Sequence, residues 1–156
     1  MPRCSTTCSP ATTRCCRASA WAPLRSPADL TTRVTRALVP AMARHGVRRL
    51  VAVSAGGVGE SLDRCSWAVR RMVATANLGV AYRDLAAMEA TLAASDLDWC
   101  VVRPVTLVDG EPTGRARPVE RYGLFSVVRR ADVAAFMLAA AESPSLGSRA
   151  VMVGSG

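Results

Sequence analysis

Leu50-Val51-Ala52-Val53-Ser54-Ala55-Gly56-Gly57 decides the fold. Four consecutive apolar residues predict a strand buried on both faces, and the small hydroxyl and glycines that follow predict a flexible exit loop. A second segment repeats the pattern downstream. Trp99-Cys100-Val101-Val102 is a short apolar run stopped by Arg103-Pro104. Between the two, Tyr82 to Ala94 places Leu85, Met88 and Leu92 on one helical face. Ser95-Asp96 ends that helix, because Asp tolerates the left-handed conformation usually left to Gly. Strand, helix and strand make a βαβ unit, which is parallel and right-handed in nearly all proteins.

The same pattern extends outward from this unit. Upstream, Ser26-Pro27-Ala28-Asp29 has the form of a helix start. Leu30, Val34, Leu38 and Met42 then predict the buried face of a helix stopped at Gly46 and kinked at Pro40. Residues 60–80 are ambiguous, with a helical turn from Trp67 to Val73. Residues 105–124 contain Gly110, Pro112, Gly114 and Pro118 and predict a long loop with short extended pieces. Phe125 to Val128 predicts a strand. Ala131 to Ala141 predicts a helix with Val133, Phe136, Met137 and Ala140 inward, and Asp132 in the first turn complements its dipole. Ser143-Pro144 ends it, and Ala150 to Val153 is a last strand. Residues 1–25 are rich in Ser, Thr, Cys, Arg and Pro without apolar period, and are expected to lie outside the core. The domain is therefore expected at 26–156.

Composition narrows the chemistry. The chain has 156 residues and half are hydrophobic, enough for one domain with a core. Its formal charge is +8, and all 20 basic residues are arginine. Without lysine there is no Schiff base, no P-loop lysine and no Tyr-x-x-x-Lys pair. The arginines are scattered rather than striped and aromatics are only 4%, so no nucleic-acid partner is expected. No apolar run reaches the ~20 residues of a membrane span. No apolar stretch follows the early arginines, so a cytoplasmic protein is expected rather than a secreted one. Cys4, Cys8, Cys15 and Cys16 are spaced poorly for paired zinc ligands, and no metal site is expected.

In open parallel α/β sheets, ligands bind at the carboxyl ends of the strands. One end offers Ser54, Ala55 and Gly56; the other offers Arg103, Pro104, Val105 and Thr106. A hydroxyl such as that of Ser54 can bond a carboxamide or carbonyl, and glycine admits close backbone approach. Tyr82 is a candidate proton donor beside Ser54. Position 86, where a lysine at helical spacing would lower its pKa, is alanine, so an amphipathic role at a helix start competes with catalysis. His45, the one histidine, suits a helix C-terminus. Neither a P-loop nor G-x-G-x-x-G occurs, and Gly56-Gly57-Val58-Gly59 does not match the latter.

Four segments carry a resemblance. His45 to Ala55 resembles the fifth-strand region of atypical short-chain dehydrogenases, the NAD(P)H-binding, NmrA-like proteins that include flavin (biliverdin) reductase-like members. Ser95-Asp96-Leu97-Asp98-Trp99-Cys100-Val101-Val102-Arg103-Pro104 resembles their next strand, and Asp109-Gly110 through Gly114 the loop after it. Arg130-Ala131-Asp132-Val133-Ala134 resembles the start of their last helix. The resemblance covers residues 26–156. It implies the C-terminal portion of a Rossmann-like doubly wound parallel sheet, without the glycine-rich βαβ unit and so N-terminally truncated, with a trace of the fourth strand at 18–25. It implies NAD(P)H as cofactor, Ser54 facing the nicotinamide, residues 103–106 walling its pocket, and a small-molecule substrate. Flavin-reductase-like members carry a histidine near Thr106, which this chain lacks. Two functions follow: an oxidoreductase-like protein with Ser54 and Tyr82 as catalytic candidates, or a non-catalytic NmrA-like dinucleotide sensor. Loss of the N-terminal strands would leave Leu50–Val53 at a bare sheet edge through which the chain self-associates.

Overall fold

A computed structural model describes residues 14–17, 27–75, 78–143 and 147–155. The main sheet contains β1 (Arg14–Arg17), β2 (Arg49–Val53), β3 (Asp98–Pro104), β5 (Ala116–Pro118) and β7 (Arg149–Ser155), in the order β1-β2-β3-β7-β5. The first four strands are parallel, and β5 runs antiparallel to β7. A separate parallel pair joins β4 (Thr106–Val108) to β6 (Val127–Arg129). The mixed α/β architecture with a parallel-dominated sheet is the expected one.

Helices cover both faces. On one, α1 (Leu30–Arg44) and α3 (Gly79–Ala93) enclose Leu50, Ala52 and Val101 with Met42, Met88 and Leu92. On the other, α4 (Arg130–Glu142) and α2 (Trp67–Thr75) enclose Val51, Cys100 and Val102 with Val69, Val133 and Met137. The alternation Leu50/Val51 and Val101/Val102 thus feeds two cores, which explains the unbroken apolar runs.

Two expectations change. Arg14–Arg17 pairs with Arg49–Ala52, so these four of the first 25 residues belong to the sheet, and β2 is not its edge. The neighbouring expectations, the strand trace at 18–25, the Ser26 cap and the Pro144 stop, lie outside the described residues. In α1 the buried residues are Thr32, Thr35 and Met42, whereas Val34 is 40% exposed. The reason is Asp84 of α3. Its carboxylate accepts from the Thr31 and Thr32 amides at 2.8 and 2.9 Å and from their hydroxyls at 2.5 and 2.6 Å. A carboxylate from another helix therefore satisfies amides that the start of α1 leaves open, and it turns the threonines inward. Burial would raise the Asp84 pKa, but these bonds outweigh it and hold the carboxyl below its usual value.

At the opposite end of the sheet, buried Arg49 donates to Asp98 at 2.5 Å and to the carbonyls of Ala140 and Ser143 at 2.8 and 3.2 Å. It closes the C-terminus of α4, where a cation suits the dipole.

Candidate functional site at the strand ends

The carboxyl ends of β2 and β3 stay bonded beyond the regular ladder. Ser54 donates its N–H to the Val102 carbonyl, and Gly56 to the Pro104 carbonyl, both at 2.8 Å. Ser54, Ala55, Gly56, Pro104 and Val105 thus lie on two strand exits that are bonded to each other. Val105 is buried and bonds Val153; Thr106 opens β4 at the surface. Gly56 is glycine for lack of space: an added Cβ would lie 3.0 Å from the Tyr122 ring and 3.1 Å from the Pro104 oxygen. Gly57, at φ +92°, needs the left-handed region that only glycine enters freely.

Ser54 is 8% exposed, and its Oγ has no hydrogen-bond partner among the described residues. Buried hydroxyls are normally paired, so an unpaired one at a strand end is a polar position that a ligand can complete.

Arg103 is committed elsewhere. Its guanidinium lies under the loop and donates to both carboxylate oxygens of Glu89 on α3. It also donates to Glu60 at 2.5 and 3.1 Å, on the 3₁₀ turn Gly59–Arg64. Burial would lower the Arg103 pKa, but these bonds raise it, and the same guanidinium depresses Glu60. The side chain ties turn, helix and strand together, so what β3 offers a ligand comes from the residues after it.

Tyr82 of α3 does reach the loop, donating to the Gly56 carbonyl at 3.1 Å. Burial, with Tyr122 and Cys65 nearby, pushes its pKa up to about 12. Its proton is held by the protein and released less readily than in water, which runs against service as an acid at neutral pH.

Sequence reading missed Tyr122. It is buried, its ring lies against Gly56, and its hydroxyl shares a 2.9 Å bond with Thr106 Oγ1. With Cys65 it lines a cleft of about 720 Å³ between residues 63–66 and 120–123. The available signal was a lone aromatic in a glycine- and proline-rich loop.

The family model for NAD(P)H-binding proteins matches residues 16–144. The chain belongs to this NAD(P)H-binding family. Its cofactor class is NAD(P)H, and the resemblance to atypical short-chain dehydrogenases holds. Among solved structures it is similar to ChuY, an anaerobillin reductase from Escherichia coli O157:H7, at 28% identity and TM-score 0.66, over 79% of this chain and 57% of that one. ChuY from E. coli CFT073 matches at 27% identity and TM-score 0.66, over 78% and 64%. A wide-type short-chain dehydrogenase/reductase from Veillonella parvula, solved with NADP, shares the fold at 17% identity and TM-score 0.67, over 82% and 59%. The chain spans 57–64% of the length of these proteins. No curated protein matches. No helix of the described residues is long and apolar enough to cross a membrane.

Proposed function

We propose that this NAD(P)H-binding chain forms the nicotinamide side of a reductase site, with Ser54 as its recognition hydroxyl. The carrying observation is the buried Ser54 Oγ, without a hydrogen-bond partner among the described residues, at the exit of β2 where the backbone is bonded to β3 and its continuation. An orphaned hydroxyl next to a close-packed glycine fits the carboxamide edge of a nicotinamide. Ala55, Gly56 and the backbone of 104–106 would wall the ring, with Arg103 holding that wall from behind. When bound, the dinucleotide supplies a hydride to a small-molecule acceptor; anaerobillin, named for ChuY, is the first acceptor to test. Since the sequence contains no glycine-rich pyrophosphate loop, affinity of the chain alone for NADPH should be weaker than about 100 µM. Titration by NADPH fluorescence tests this, and Ser54→Ala should abolish saturation. Low-micromolar affinity, or binding indifferent to Ser54→Ala, contradicts the reading.

One observation favours a second reading, a non-catalytic NmrA-like sensor: the Tyr82 proton is bound to Gly56 and its pKa raised. An assay for hydride transfer with anaerobillin separates the two. Turnover eliminated by Tyr82→Phe restores Tyr82 as the acid; dinucleotide binding without turnover supports the sensor. Either reading goes with a cytoplasmic location, which the free thiols of Cys65 and Cys100 fit. Self-association also belongs to this proposal, now through β1, which among the described residues pairs only with β2.

A further inference from the structure

Tyr122 makes three contacts that converge on the proposed site. Its ring closes on Gly56 so tightly that a methyl there would meet ring carbons at 3.0 and 3.2 Å. Its hydroxyl engages Thr106 Oγ1 at 2.9 Å. Its backbone donates to the Arg64 carbonyl at 3.2 Å and accepts from the Ser66 amide at 2.9 Å, fixing the other wall of the 720 Å³ cleft. A tyrosine serving the core alone needs any partner for its hydroxyl. Here the partner is an exposed threonine at the start of β4, just past the exit of β3, so the link joins the exits of β2 and β3.

We propose that Tyr122 is a positioning residue of the dinucleotide site. It holds the Gly56 loop and Thr106 at a fixed separation, so that the Ser54 hydroxyl and the 104–106 wall face one ligand. The inference rests on the nicotinamide-side reading above. It also links the cleft to the site, because the segment 64–66 is bonded to the Tyr122 backbone and the Gly56 loop packs on its ring. The Gly56 loop is held by Pro104, Tyr82 and Tyr122, and a loop preformed in this way lowers the cost of binding.

The test uses Tyr122→Phe, Thr106→Val, the double variant and Tyr122→Ala, with two readouts. The first is amide hydrogen exchange in the unliganded chain. Tyr122→Phe keeps the ring on Gly56 and loses only the link. It should speed exchange at Gly56 several-fold and leave Val51 and Val101 unchanged. The second is NADPH affinity. Tyr122→Phe and Thr106→Val should each weaken it about three- to tenfold, the range of one hydrogen bond. The double variant should be no worse than either single, because both remove the same link. Tyr122→Ala should also lower the melting midpoint; Tyr122→Phe should hardly move it. Unchanged Gly56 exchange in Tyr122→Phe, wild-type affinity in that variant, or multiplied losses in the double would each overturn the positioning role while leaving the dinucleotide reading intact. A wild-type chain that binds no NADPH sinks that reading and this proposal with it. In that case, faster Gly56 exchange in Tyr122→Phe reports only a structural link.

Discussion

Two strand ends lie side by side in this molecule and hold their polar groups in opposite ways. At the end of β3, Arg103 gives four of its five N–H groups to Glu60 and Glu89. At the end of β2, Ser54 Oγ is also buried and has no hydrogen-bond partner among the described residues. A group that spends its hydrogen bonds inside the protein is there to hold the fold, because removing it strands its partners. A group that spends none adds little to the fold and has its bonding capacity left for something else. Burial alone does not tell these cases apart; the partners do. Both residues are site candidates in the sequence, and among the described residues only the Arg103 side chain is engaged by partners.

The sharpest way to break that comparison is Arg103→Ala. It leaves Glu89 inside the protein without its cation. Removing one partner of a buried pair costs about 3–5 kcal/mol, and urea unfolding should show a loss of that size. A loss under about 1 kcal/mol would mean that Arg103 is not structural and would return it to the candidate binding groups.

Asp84 sharpens the comparison from another helix, since its carboxylate too is held by partners, Thr31 and Thr32. Asp84→Asn should cost about 1 kcal/mol, the scale of a helix cap. The pH dependence follows from its depressed pKa. Its contribution is complete above the unfolded-state value near 4 and fades as pH falls through the lower folded-state value. The wild type should therefore lose stability on acidification below about pH 4 more steeply than Asp84→Asn. Parallel slopes in urea unfolding at several pH values would remove Asp84 from the account. Asp132 has the same sign: bonds from Thr113 and Gly114 depress it.

Tyr82→Phe should have an effect of similar size in urea unfolding. The lost bond to the Gly56 carbonyl is worth about 1 kcal/mol. The smallest stability effect belongs to Ser54→Ala, within about 0.5 kcal/mol of wild type, because no bond is lost. A destabilisation of 2 kcal/mol there would reveal an internal partner for the hydroxyl and undo the contrast with Arg103.

The elements of the fold were legible because each core strand is a continuous apolar run and α3 and α4 carry their apolar residues at helical spacing. The buried face of α1 was not, since Thr32 is held inward by Asp84, which arrives from 52 residues along the chain, and the Thr35 hydroxyl bonds back to the Thr31 carbonyl. The place of Arg14–Arg17 in the sheet was equally hidden, as four residues without an apolar run give no strand period. At the site, Ser54, Gly56 and Pro104 could be placed from strand ends and glycine alone. The role of Arg103 depended on Glu60 and Glu89, which reach it from a turn and a helix. Tyr122 comes from a loop whose path no local pattern specifies.

The central claim is that the Ser54 end receives the nicotinamide portion of the cofactor. Amide-shift mapping with reduced nicotinamide mononucleotide, which lacks the adenylate half, tests it most directly. Shifts should concentrate at Ser54, Ala55, Gly56, Val105 and Thr106, and disappear in Ser54→Ala while Arg49 to Val53 keep their wild-type positions. Saturable shifts confined to other parts of the molecule, or a full response in Ser54→Ala, would contradict it.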